Sequence, residues 1–159
     1  MAAAPGGGAT GAPAPDFELE SHEGVRVRLS GYRGAGSVTL FFMRAYTCLT
    51  CIVHAVQLGL VAPRLTALDS ALLVLVPGPL DQARKIAKLV RASFPVLADP
   101  DRIAYRGFGF QRRLLFMQQS GTALVDRAGR IAYLHRSTSP RRALDLDRLL
   151  AAAEAARTT

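Results

Sequence analysis

Two uninterrupted β-prone runs, Val38-Thr-Leu-Phe-Phe-Met43 and Ala71-Leu-Leu-Val-Leu-Val76, constrain this chain most. Neither alternates apolar with polar residues, so each reads as a strand buried on both faces of a sheet. Such strands need helices on the sheet to cover them. The intervening sequence supplies these. Positions 48–62 carry apolar side chains at Ile52, Val53, Val56, Leu60 and Val61, which is helical spacing. Pro63 lies four residues after Gly59, which predicts a kink or break before helix resumes to Leu68. Positions 80–90 repeat the pattern with apolar residues at 80, 83, 86, 87 and 90.

The flanks complete the order. Phe17-Glu-Leu-Glu20 and Val25-Arg-Val-Arg-Leu29 alternate apolar with charged, and Ser21-His-Glu-Gly24 supplies a turn, so a hairpin is expected. Pro95-Val-Leu97 reads as a short strand, Asp99-Pro-Asp101 as a turn leading into a helix, and residues 103–110 as a short helix. Thr122-Ala-Leu-Val125, Asp126-Arg-Ala-Gly129 and Arg130-Ile-Ala-Tyr-Leu134 read as strand, turn, strand, and residues 144–156 as a closing helix. The order β-β-β-α-β-α-β-α-β-β-α predicts an α/β protein with a mixed central sheet flanked by helices.

Residues 1–15, MAAAPGGGATGAPAP, hold no side chain that could anchor them and are expected to be a flexible Ala/Gly/Pro-rich tail; residues 16–159 form one domain. Half of the 159 residues are hydrophobic, which is enough for a sizeable core. The chain lacks the basic and apolar regions of a secretory signal, and its longest apolar runs are too short to cross a bilayer. A cytoplasmic location without a membrane partner is expected. The net charge of +8 is nearly all arginine, spread from Arg26 to Arg157 without a block of like charge. That favours a solvated surface over a nucleic-acid face. Arg106-Gly-Phe-Gly-Phe110 matches the opening of an RNA-recognition signature, but Gln111 and Arg113 stand where a valine and an aromatic are required. No nucleic-acid partner is therefore expected.

The chemistry concentrates in Cys48-Leu-Thr-Cys51, where the first buried run meets the first long helix. The first turn of a helix has unpaired N–H groups and a partial positive charge. A thiolate there is stabilised, so a pKa below the free value of about 8.5 is expected. Two cysteines across one turn can close into a disulfide, so one sulfur can attack and the other resolve. Zinc normally needs four ligands, and only His22, His54 and His135 could join the pair. Position 52 is isoleucine, which excludes the c-type haem motif. No glycine loop for phosphate precedes a helix in the right context, so no metal, nucleotide or flavin cofactor is expected.

The chain resembles the peroxiredoxin-like AhpC/TSA group of the thioredoxin-fold superfamily, most closely its peroxiredoxin-like 2 branch. The resemblance rests on Ala14-Pro-Asp-Phe-Glu-Leu19, Leu29-Ser-Gly-Tyr-Arg-Gly34, Leu40-Phe-Phe-Met-Arg-Ala-Tyr-Thr-Cys-Leu-Thr-Cys51, Phe94-Pro-Val-Leu-Ala-Asp-Pro-Asp101, Ser120-Gly-Thr-Ala-Leu-Val-Asp126 and Gly129-Arg-Ile-Ala-Tyr-Leu-His-Arg136, in that order. It implies a thioredoxin-like fold with an N-terminal β-hairpin extension, and a thiol-dependent oxidoreductase. The implied partners are a peroxide or protein-disulfide substrate, an external thiol reductant of thioredoxin or glutathione type and, by analogy of fold, a second copy of the chain.

The family's P-x-x-x-T-x-x-C loop places its peroxidatic cysteine on Cys51, its threonine on Cys48 and its proline on Arg44. Its later acid falls on His54, and the arginine before the late Gly-Thr falls on Ser120. Thioredoxins carry a cis-proline before the fourth strand, where this chain has Ser120-Gly-Thr-Ala123. Two assignments therefore stand: Cys48 attacks and Cys51 resolves, or the reverse. Arg44 is a candidate cation for lowering a thiolate pKa, Thr47, Thr50 and Thr122 are candidate donors near the sulfurs, and His54 is a candidate base one turn beyond Cys51. The alternative to an enzyme is a non-catalytic, partner-binding thioredoxin-fold module.

Overall fold

The two apolar runs pair with each other in parallel register, Val38 opposite Ala71 and Phe42 opposite Leu75. A computed structural model describes residues 8–113 and 117–158. The elements, in chain order, are β1 (Glu18–Ser21), β2 (Arg26–Arg28), β3 (Ser37–Phe42), α1 (Leu49–Ala67), β4 (Ser70–Val76), α2 (Leu80–Leu89), β5 (Val96–Ala98), α3 (Ile103–Gly107), β6 (Arg112–Arg113), β7 (Met117–Gln118), β8 (Ser120–Val125), β9 (Ile131–Ser137) and α4 (Leu146–Arg157).

Seven strands among the described residues form one sheet in the order β2-β1-β5-β4-β3-β8-β9. β3, β4 and β5 are parallel neighbours; β8 adds antiparallel to β3 and β9 antiparallel to β8, while β1 of the β1–β2 hairpin adds antiparallel to β5. Every residue of β3 is buried, as an unbroken apolar run requires. Phe41 packs on one side with residues of α1, α2 and α4, and Leu40 and Phe42 pack on the other with α3 and the N-terminal segment. Phe42 stacks on Phe110 at 4.3 Å between ring centroids. Phe108 and Phe110, the aromatics of the RNA-like motif, are fully buried and cannot present a face to a base.

Three expectations need correction. The segment from Gly11 to Ala14 is not a tail. Gly11 N–H donates to Ile131 O, Ile131 N–H to Ala12 O and Ala14 N–H to Gly129 O, at 2.7–2.9 Å. The edge of β9 offers unpaired backbone groups, and an extended chain needs no side chain to satisfy them. Second, α1 runs unbroken through Pro63. Pro63 is exposed, so its ring takes no space from the core side of the helix. Third, α1 turns a different face inward. It buries Cys51, His54, Ala55, Leu58 and Leu65, while Val53, Val56 and Leu60 face solvent. Beyond these, Arg112 pairs with Gln118 in a short antiparallel ladder that the sequence pattern did not indicate.

Candidate active site

β3 ends at Phe42, the chain crosses residues 43–48 in a loop, and α1 begins at Leu49. Cys48 is the N-cap of α1, with extended backbone angles (φ −75°, ψ 105°). Its sulfur accepts the Cys51 N–H at 3.4 Å, replacing the oxygen that usually fills this role. Cys51 lies one turn further on, and its sulfur accepts the Arg44 N–H at 3.4 Å. Both cysteines are free thiols. The spacing thus places the pair as expected, across the leading turn of the first long helix.

Burial alters the electrostatics. Cys51 is fully buried and Cys48 is 5% exposed. The Cys51 thiol is pushed up to about 12, first by burial and then by its hydrogen bond with Cys48. The Arg44 N–H and the Arg44 charge pull the other way but do not prevail. The expected depression is therefore reversed for Cys51. A helix terminus contributes about 0.3–1 kcal/mol at an exposed site, whereas removing a charge from water costs several kcal/mol.

The supporting residues divide. Arg44 acts on Cys51 chiefly through its backbone N–H rather than its guanidinium. Neither the Thr47 nor the Thr50 hydroxyl donates to a sulfur among the described residues; Thr47 is exposed and Thr50 half-buried in the first turn of α1. Thr122 does not serve the sulfurs either, because its hydroxyl donates to Ala143 O at 2.8 Å. His54 is buried, edge-on to Phe41 at 5.9 Å, with its Nδ1 unpaired. Burial lowers its pKa and so keeps it neutral. Ser120 is also buried, with its hydroxyl unpaired.

A cleft of about 370 Å³ opens beside the loop, lined by Arg44, Tyr46, Thr47, Gln82, Arg112 and Gln118 among others. Neither sulfur lines it. The Lys85 ammonium sits 5.6 Å from the Tyr46 ring centroid and ties the loop to α2. Gln118 accepts from the Arg102 guanidinium at 3.1 Å. The contributions of Gln82, Arg112 and Gln118 were missed in the sequence, because they come from three separate elements. Among the described residues, no cluster of three His, Cys, Asp or Glu side chains could hold a metal ion.

A mixed sheet with a dithiol capping its first long helix defines a thioredoxin-fold dithiol protein. The chain belongs to the AhpC/TSA family, whose model matches residues 10–134. Alkyl hydroperoxide reductase E of Mycobacterium bovis and of Mycobacterium tuberculosis is 35% identical over 126 residues, which span 77% of this chain and 82% of the relative. Among solved structures, peroxidoxin BcpB of Mycobacterium tuberculosis superposes with a TM-score of 0.82 at 26% identity, covering 93% of this chain and 97% of that one. The reduced 2-Cys peroxiredoxin of Plasmodium vivax gives the same TM-score at 16% identity, covering 94% and 96%, which bears on the fold alone. The thioredoxin-like fold implied by the sequence is thus the fold observed.

Proposed function

We propose that this protein is a thiol-dependent peroxidase in which Cys51 attacks and Cys48 resolves. The observation that carries the reading is the paired thiols of one helical turn, each sulfur accepting a backbone N–H. The thiolate of Cys51 attacks the terminal peroxide oxygen. The O–O bond breaks, Cys51 becomes a sulfenic acid, and the leaving alkoxide takes a proton to become an alcohol. The Cys48 sulfur then displaces water from the sulfenic acid and the internal disulfide forms. An external dithiol returns two electrons and two protons, restoring both thiols. The electrons reside on sulfur throughout, so the cycle needs no further cofactor.

The activity for which the relatives are named, alkyl hydroperoxide reduction, supports an organic hydroperoxide as the oxidant. The cleft beside Arg44 supports entry from that side. Reaching Cys51 from it requires the 45–47 segment, which lines the cleft, to shift while the Arg44 N–H stays on the sulfur. The shift admits water and relieves the burial that keeps the thiol protonated.

A second reading has its own observation: Cys48 is the less buried sulfur and the N-cap. In that reading Cys48 attacks a protein disulfide and Cys51 resolves the mixed disulfide. Comparing Cys48→Ser with Cys51→Ser separates the two. Under the first reading, Cys48→Ser still forms a sulfenic acid on hydroperoxide addition and Cys51→Ser does not. Trapping of a mixed disulfide by Cys51→Ser alone supports the second. If both thiols of the unmodified protein survive either oxidant, the non-catalytic module is the better description.

A further inference from the structure

Tyr105 belongs to α3, on the sheet face opposite α1. Its ring is fully buried, edge-on to Phe42 at 5.1 Å. Its hydroxyl donates to Met43 O at 2.5 Å and lies 2.9 Å from Leu75 O. Met43 and Arg44 are joined by one peptide unit, and the N–H of that unit is the donor to the Cys51 sulfur. A single amide therefore has its oxygen on a phenol and its hydrogen on a thiol.

We infer that Tyr105 is a positioning residue for Cys51, holding and polarising the peptide between Met43 and Arg44 so that its N–H stabilises the thiolate. This peptide lies just past the end of β3, where the continuous ladder stops. The Met43 N–H still reaches Leu75 O at 3.0 Å, but the Met43 carbonyl is held by the tyrosine. Without the hydroxyl, that carbonyl would turn in search of a partner, and the Arg44 N–H would turn with it. A hydrogen bond at the carbonyl also makes the same amide a stronger donor. The phenol remains a donor because burial, then the charges of Asp99 and Cys51, hold its pKa well above the usual value. α3 is itself anchored: Asp99 accepts the N–H groups of Ile103, Ala104 and Tyr105 at 2.8, 2.9 and 3.3 Å.

The inference rests on Cys51 reacting as a thiolate, and its test uses no peroxide. In a Cys48→Ser background Cys51 is the one thiol, and its alkylation by iodoacetamide is followed from about pH 7 to pH 10. Adding Tyr105→Phe should slow alkylation about 5- to 10-fold at each pH. Loosened packing alone would expose the thiol and speed the reaction, so the direction separates the two roles. Phe110→Leu, which disturbs the same aromatic cluster and leaves the hydroxyl, should not slow it. Alkylation that is unchanged or faster in Tyr105→Phe, or equally slowed in Phe110→Leu, overturns the inference. Should Tyr105→Phe not fold, 3-fluorotyrosine placed at 105 keeps the hydroxyl and strengthens its donation. Alkylation about twofold faster then supports the inference, and an unchanged rate overturns it. Slower alkylation in Tyr105→Phe, together with no peroxide consumption by the unmodified protein, would sink the peroxidase reading alone.

Discussion

The Cys51 thiol, pushed up to about 12 chiefly by burial, links the site to stability. In the unfolded chain it returns to about 8.5. An acid whose pKa is higher folded than unfolded contributes its full stabilisation below the unfolded value. That contribution is lost as pH climbs towards the folded value. Stability should therefore fall between about pH 9 and pH 11 more steeply in the unmodified protein than in Cys51→Ala. Urea titrations across that range measure it, and parallel curves would refute the burial of Cys51. Thr122 supplies a second prediction. Its hydroxyl serves Ala143, so Thr122→Val should cost about 1–2 kcal/mol of stability and leave Cys51 alkylation unaltered. Altered alkylation would return Thr122 to the role its place in the sequence suggested. The dithiol was legible because a loop, a cap and one helical turn are local. The partners of Thr122 and Tyr105 were not, because each is set by packing between distant segments.

At the scale of elements, α1 shows what periodicity conveys and what it leaves open. Apolar residues occupy most of its circumference, so the spacing gives a helix without saying which face packs. The sheet receives the side bearing the small residues Cys51 and Ala55, while Val53, Val56 and Leu60 remain outside at 54%, 41% and 77% exposure. α1 is long and apolar enough to cross a membrane by length and composition, yet it lays Cys51, Leu58 and Leu65 into the core. Leu58→Ala should cost about 2–5 kcal/mol, whereas Leu60→Gln should change stability by about 0.5 kcal/mol or less. Chemical denaturation of the two variants measures the difference, and similar losses would show the inward face to be wrong. The strands were more legible than the helix, since β3 and β4 are buried on both sides and need no choice of face.

Across the whole molecule, the composition of residues 1–15 concealed a structural part. Removing residues 1–15 deletes the hydrogen bonds to β9 and buried Ala14, and should cost about 2–4 kcal/mol. Thermal or urea unfolding of the truncated and full-length chains checks this, and equal stability would restore the tail. Composition describes side chains, and the attachment here is made by backbone.

The loop between β3 and α1 roofs the Cys51 sulfur in the resting protein, its Arg44 N–H resting on that sulfur. A thiol reagent too bulky to slip beneath it must wait for the roof to lift. Its labelling rate will climb with concentration only until capture outpaces reclosure, and then level off. The height of that ceiling is the frequency with which the molecule uncovers its buried thiol.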